Sequence, residues 1–139
     1  MAINFNGRVA IVTGAGGGLG RQHALALAAR GAKVLVNDLG SGVHGEGGSV
    51  SPAQAVVDEI RAAGGEALAN GASVTDFAAV EAMVQQAIDA WGRVDILVNN
   101  AGILRDKSFA KMNMDDFRLV VDVHLMGAVH CSKAVWPHM

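Results

Sequence analysis

The chain has 139 residues, about one domain by the usual guide of ~100–200 residues, and it is 51% hydrophobic with 18 glycines and 17% charged residues, which argues against disorder. A formal net charge of −2, from 11 Lys plus Arg against 13 Asp plus Glu, gives no basic footprint for nucleic acid. The single cysteine, Cys131, cannot close an internal disulfide and points to a reducing, cytoplasmic compartment; the start MAINFNGRVA lacks a basic stretch followed by an apolar core, and no uninterrupted apolar run is long enough to cross a membrane.

No repeat or linker divides the sequence, so residues 1–139 read as one unit. Val9-Ala10-Ile11-Val12 is a short apolar run stopped by Thr13-Gly14, as expected of a first strand buried on both faces. Leu19 to Ala29 is rich in Ala and Leu and forms a first helix, with Gly31 placed where a helix end needs a left-handed residue. Val34-Leu35-Val36 follows as a second strand, ending at Asn37-Asp38. Gly40 to Ser51, with five glycines, reads as a surface loop. Ser51 as N-cap and Pro52 as the opening residue start a second helix, whose Val56, Val57 and Ile60 share one face and which stops before Gly64-Gly65.

Glu66 to Gly71 is placed as a third strand because a helix must return the chain to the sheet. Phe77, Val80, Val84, Ile88 and Trp91 recur at spacings of three and four, with Asp76 at the positive end of that third helix and Gly92 closing it. Val94, Ile96, Leu97 and Val98 make a fourth strand leading into Asn99-Asn100-Ala101-Gly102. A last helix begins near Asp115 and turns Phe117, Val120, Val121, Leu125, Ala128 and Val129 to one apolar face. The alternation of strand and helix predicts an α/β fold, a Rossmann-like doubly wound parallel sheet of order 3-2-1-4 with flanking helices. Ligands bind such a sheet beyond the strand ends where the order reverses, here between strands one and four.

Two motifs fall on that edge. Thr13-Gly14-Ala15-Gly16-Gly17-Gly18-Leu19-Gly20 joins the first strand to the first helix: Gly14 permits a tight turn, Gly18 lets a pyrophosphate approach the backbone, and Gly20 lets the helix pack against the sheet. The loop is T-G-x-x-x-G-x-G and departs from G-x-G-x-x-G; no Lys-Ser or Lys-Thr pair follows it, which argues against a P-loop nucleotidase. Asp38 ends the second strand, where a carboxylate accepts hydrogen bonds from both hydroxyls of an adenosine ribose and repels a 2′-phosphate, favouring NAD over NADP. In Asn99-Asn100-Ala101-Gly102, small residues let a flat ligand lie against the backbone while the amides brace neighbouring loops. A tight turn, a strand-end carboxylate and an Asn-rich turn are the bland alternatives for the three features.

Together these motifs identify the chain as similar to short-chain dehydrogenases and reductases from about Arg8 to its last residue. The stretches Asn99 to Asp106, Ser108-Phe109-Ala110 and Val123-His124-Leu125 resemble the (3R)-hydroxyacyl-CoA dehydrogenase units of type 2 peroxisomal multifunctional enzymes and their bacterial relatives. The resemblance implies that Gly14, Gly18, Leu19 and Gly20 line the pyrophosphate of NAD, that Asp38 holds the adenosine ribose, and that Asn100, Ala101 and Gly102 border the ribose on the nicotinamide side. Ser73-Val74 stands where many members have Asp-Val beside the adenine, leaving a serine hydroxyl or backbone contact. His124 takes the place of an asparagine that helps hold a proton-relay water; a helix histidine bonded to a nearby carbonyl is the equal alternative. Arg105 and Lys107 either meet an acyl-CoA phosphate or belong to a solvated loop. The other histidines show no metal-ligand spacing, so no metal is expected.

The family places its catalytic serine after a fifth strand, with Tyr-x-x-x-Lys following. This chain has no tyrosine and ends before that strand, so it reads as the NAD-binding N-terminal part of one dehydrogenase domain, inactive by itself, whose parent is an NAD-dependent oxidoreductase acting on a secondary alcohol such as a 3-hydroxyacyl-CoA. A non-catalytic NAD-binding module is the alternative, and an S-adenosylmethionine methyltransferase is disfavoured because it gives Asn-Asn-Ala-Gly no purpose. The expected partners are a small-molecule substrate and further copies of the chain, with neither nucleic acid nor membrane.

Overall fold

A computed structural model describes residues 2–40 and 52–139. Four parallel strands, β1 (Val9–Val12), β2 (Lys33–Asn37), β3 (Ala67–Asn70) and β4 (Ile96–Val98), lie in the order β3-β2-β1-β4. β1 is central: Ile11 pairs with Leu35 on one side and with Leu97 on the other. Strand side chains point alternately to opposite faces, and the core divides accordingly. Ala10, Val12, Val34 and Val36 pack with α1 (Gly18–Ala29) and α2 (Pro52–Ala62), while Val9, Ile11 and Leu35 pack with α3 (Phe77–Trp91) and α5 (Gly127–Val135). Because both faces are covered, β1 is apolar at every position rather than alternating, and burying each large aliphatic side chain contributes ~1.5–3 kcal/mol.

The strand order matches expectation, as do the ends of α1 and α3. Gly31, just past α1, has φ +100°, and Gly92 caps α3 at φ +77°, the left-handed region that glycine enters without strain. Asp76 is the N-cap of α3, accepting the Ala79 N–H at 3.1 Å. Val94 is buried but precedes β4, which starts at Ile96. Residues 41–51, and with them most of the expected loop and the Ser51 cap, lie outside the described residues.

The last helix departs from expectation. It starts at Met114 with Asn113 as N-cap, runs as α4 (Met114–Val121), passes through a π-helical turn at Asp122–Met126, and resumes as α5. In that turn the Gly127 N–H reaches back five residues to the Asp122 carbonyl, so the spacing rule used to assign an apolar face is interrupted there. The side chains that α5 buries are Cys131 and Val135, together with Gly127 against Val74. Phe117 is 42% exposed, Leu125 58% and Val129 45%, so these apolar members of the expected helix are left uncovered.

At the opposite edge of the sheet from the glycine loop, Asp95 clamps β1 to the entry of β4. Its carboxylate accepts the Val9 N–H at 2.9 Å and a two-pronged contact from Arg93 at 2.6 and 2.9 Å, with Arg8 at 3.3 Å. Hydrogen bonding from Arg93, then from the Val9 amide and Arg8, outweighs desolvation and holds the Asp95 carboxyl down at about 2. A carboxyl whose folded pKa is depressed adds stability that is present above its ordinary range and is lost as pH falls through the folded value. The stability gap between the wild type and Asp95→Asn is therefore expected to be constant above about pH 5 and to close towards pH 2. Urea denaturation midpoints at stepped pH measure it, and a gap that stays constant down to pH 2 contradicts the clamp.

Candidate cofactor site

Thr13 follows β1 and is 1% exposed. Its hydroxyl oxygen accepts the N–H groups of Asn100 and Ala101 at 3.1 and 3.0 Å and lies 3.4 Å from the Val98 carbonyl, to which it donates. The Asn100 side-chain amide runs back the other way, donating to the carbonyls of Thr13 and Gly14 at 3.1 Å each. These bonds join the ends of β1 and β4 beyond the last rung of the ladder. They also explain two glycines. Gly14 has φ +61°, and a Cβ there would sit 2.8 Å from the Ala101 Cα; a Cβ on Gly20 would meet the Asn100 amide and lie 2.5 Å from the Gly14 carbonyl oxygen.

Gly18 is a different case: its φ is +54° but the space where a Cβ would stand is open. Gly17 is the N-cap of α1 and offers no side chain to the first turn. The first N–H groups of a helix have no acceptor within it, and the helix dipole adds positive character there, so this end of α1 is suited to an anion.

At the end of β2, neighbouring residues divide inward and outward roles. Asn37 is 1% exposed, and its amide donates to the Asn70 side chain and to the Ala72 carbonyl, both at 3.0 Å. Asp38 is half-buried, with one carboxylate oxygen accepting the Gly16 N–H and the other the Gly40 N–H, each at 2.9 Å. Ser73 shares a hydroxyl hydrogen bond with Thr75 at 2.8 Å. Val74 is buried, and its carbonyl lies 2.7 Å from His130 Nδ1, which must carry the proton because a carbonyl only accepts.

Of the residues expected at the site, Gly14, Asp38, Ser73, Val74, Asn100, Ala101 and Gly102 line one crevice of about 310 Å³. It opens where the sheet order reverses, between β1 and β4. Gly18 and Leu19 are exposed outside this lining and Gly20 is buried. Asn37, Leu39, Ile103 and Val123 also line the crevice and were not singled out from sequence, nor was Thr13. A polar side chain in a position that the apolar pattern marks as buried was the available signal for Thr13 and Asn37.

His124 does not line the crevice. It stands in the π-helical turn with Nε2 2.9 Å from the Ile103 carbonyl oxygen and 3.0 Å from the Ile103 nitrogen. Its ring lies against Gly102, where a Cβ would be 2.5 Å from Cε1. Ile103 and His124 form part of a second cavity of about 440 Å³, walled by Leu104, Phe109, Met112, Phe117, Val120 and Val121, with Arg105, Asp106 and Lys107 also in its lining. Arg105 faces Asp116 at 3.6 Å. Cys131 is buried, and burial pushes its thiol up to about 11, so it is no nucleophile at neutral pH. A larger recess of about 530 Å³ lies at the other end of the sheet, around Asn6, Arg30 and Gly64, and brings together none of the expected site residues.

The short chain dehydrogenase family model matches residues 8–139. The chain belongs to that family. It is 58% identical over 137 residues, 99% of its length, to a peroxisomal multifunctional enzyme type 2 of Drosophila melanogaster, of which it spans 22%. Among solved structures, a short chain dehydrogenase from Mycobacterium avium superposes with a TM-score of 0.89 at 50% identity over 96% of this chain and 46% of that one. A 7α-hydroxysteroid dehydrogenase, complexed with NADH and 7-oxo glycochenodeoxycholic acid, gives 0.87 at 38% identity over 98% and 49%. The chain thus spans about half the length of these solved structures and under a quarter of the fly enzyme.

The fly relative carries a peroxisomal name, as do three more at 52 to 57% identity. This overturns the cytoplasmic placement drawn from Cys131: a lone thiol reports on redox conditions, and a reducing environment does not identify the compartment.

The Thr13 hydroxyl is expected to be worth more than its size. In Thr13→Val the Ala101 N–H loses its acceptor, while the Asn100 N–H retains the Val98 carbonyl at 3.0 Å. A fully buried donor left unpaired costs ~1–3 kcal/mol, and because Ala101 is half-buried the expected loss is at the low end, about 1 kcal/mol. Thr13→Ser keeps the hydroxyl, and denaturant unfolding of the two variants should show the loss in valine and most of the stability restored in serine.

Proposed function

We propose that this chain is the NAD-binding N-terminal part of a short-chain dehydrogenase domain whose whole protein interconverts a secondary alcohol and its ketone, with 3-hydroxyacyl-CoA thioesters as the substrate class. The observation that carries the reading is the Asp38 carboxylate in the same crevice as Asn100, Ala101 and Gly102, at the reversal of the sheet. A carboxylate has about four acceptor sites, and each Asp38 oxygen has one amide donor, so capacity remains for two ribose hydroxyls. The same charge repels a 2′-phosphate, favouring NAD over NADP.

When bound, the nicotinamide supplies or accepts a hydride. The residues of this chain bind and orient. The open backbone at Gly18 and Leu19 and the uncapped first turn of α1, with Gly20 packed beneath, receive the pyrophosphate. Ser73 and Val74 border the adenine, Asn100, Ala101 and Gly102 border the other ribose, and His124 holds the Ile103 backbone where that border meets the second cavity. The apolar walls of that cavity suit an acyl chain, and Lys107 and Arg105 at its border suit an anionic carrier. The Tyr-x-x-x-Lys of the family has no counterpart in these residues, since the sequence contains no tyrosine, and the 139 residues alone bind cofactor without turnover. The names of the relatives support a peroxisomal setting.

In the protein at full native length, fluorescence titration should show NADH bound at least about tenfold more tightly than NADPH, a difference of ~1.4 kcal/mol, and 3-hydroxyacyl-CoA should be oxidised with NAD. His124→Ala should lower kcat about tenfold or more, with a smaller loss of NADH affinity because Gly102 and Ile103, which the ring supports, line the cofactor crevice. NADH binding without oxidation of any secondary alcohol leaves the non-catalytic module as the reading; NADPH preference removes the assigned role of Asp38.

A further inference from the structure

The contacts of Asp38 give it a second task, which rests on the cofactor reading above. One oxygen accepts the Gly16 N–H at 2.9 Å, 22 positions back in sequence and inside the glycine loop; the other accepts the Gly40 N–H at 2.9 Å, just after β2. The adjoining backbone repeats the link, because the Ala15 N–H donates to the Asn37 carbonyl at 2.8 Å, while the Asp38 N–H is fixed to β3 through the Asn70 carbonyl at 3.0 Å. Gly16 has no room for more. A Cβ there would stand 2.7 Å from the Asp38 carboxylate and 2.6 Å from the Pro52 side chain.

We infer that Asp38 is a positioning residue for the glycine loop: its carboxylate holds Gly16, and through it the approach to α1, in the conformation that receives a dinucleotide, so cofactor affinity depends on Asp38 even where no ribose hydroxyl touches it. A hydrogen bond to a charged acceptor is shorter and stronger than a neutral one. Its removal leaves a half-buried loop amide and the Gly40 amide without their acceptor together. If Asp38 acted on the ribose alone, replacing it would weaken NADH and strengthen NADPH, since the repelling charge is gone. Acting through the loop, it supports both cofactors, because both share the pyrophosphate that the loop faces.

The test compares Asp38→Ala and Asp38→Asn with the wild type at full native length, titrating NADH and NADPH and following amide hydrogen exchange at Gly16. The expected result for alanine is a loss of affinity of about tenfold or more for both cofactors, with faster exchange at Gly16. Asparagine keeps the shape and one acceptor oxygen, so it retains the fold and falls between the two, with Gly16 still partly protected. Tighter NADPH binding in the alanine variant, or Gly16 exchange equal to wild type in both variants, overturns the inference. Should the wild type bind neither nucleotide, the cofactor reading falls, and Gly16 exchange still decides whether Asp38 holds the loop.

Discussion

The hydroxyl of Thr13, sealed at the end of β1, is the contact on which the crevice depends. Parallel strands offer no ladder partners past their last residues, and backbone groups there need others. Thr13 and Asn100 supply them reciprocally, with side chain to backbone in each direction. The ends of β1 and β4 are thereby held close enough that Gly14 and Ala101 touch without a side chain between them. The floor of the crevice is accordingly built before any ligand arrives, which is the condition for binding without a large ordering cost.

This arrangement divides the glycine loop by task. Gly14 and Gly20 are glycine because Ala101 and Asn100 press against them, and Gly16 because Asp38 and Pro52 do; only Gly18 combines a positive φ with empty space on the side where a Cβ would stand. A motif whose glycines are commonly assigned to phosphate contact is here mostly a motif of backbone packing, with the open positions left at the first turn of α1. The end of β2 follows the same economy. Asn37 turns inward to a buried amide network with Asn70, and Asp38, next in the alternation of a strand, turns to the loop and the crevice.

Much of this was legible in the sequence, and what was not has identifiable causes. The strands followed from β-branched runs separated by helical spacing, since a run such as Val9 to Val12 fits little else, and their order from the doubly wound pattern that this alternation implies. Asp38 and Asn99 to Gly102 fell on one edge as soon as the strands were parallel. Thr13 and Asn37 were passed over because a reading by apolar period treats a polar residue at a strand end as the start of a loop; both are buried with partners at distant positions, Asn100 and Asn70, that no local pattern names. His124 was expected beside a ligand or a carbonyl, and the structure joins it to the Ile103 backbone, 21 positions away, through a π-helical turn that the local sequence gives no sign of.

The apolar face assigned to the last helix shows a different limit. Periodicity reports which side chains are suited to being covered and carries no information on what covers them. Phe117, Leu125 and Val129 obey the rule and are exposed, as is Trp136 beyond α5, whereas the side chains of α5 that pack against α3 and β4 belong to the row through Cys131 and Val135. The π-helical turn separates the two rows, because a bond closing over five residues breaks the register that a constant 3.6 period carries forward. Among the described residues β4 stands at the edge of the sheet, with Ile96, Leu97 and Val98 half-buried and paired to β1 alone. An apolar strand with one side unpaired among the described residues and an exposed apolar helix row are surfaces of the kind that proteins commonly cover.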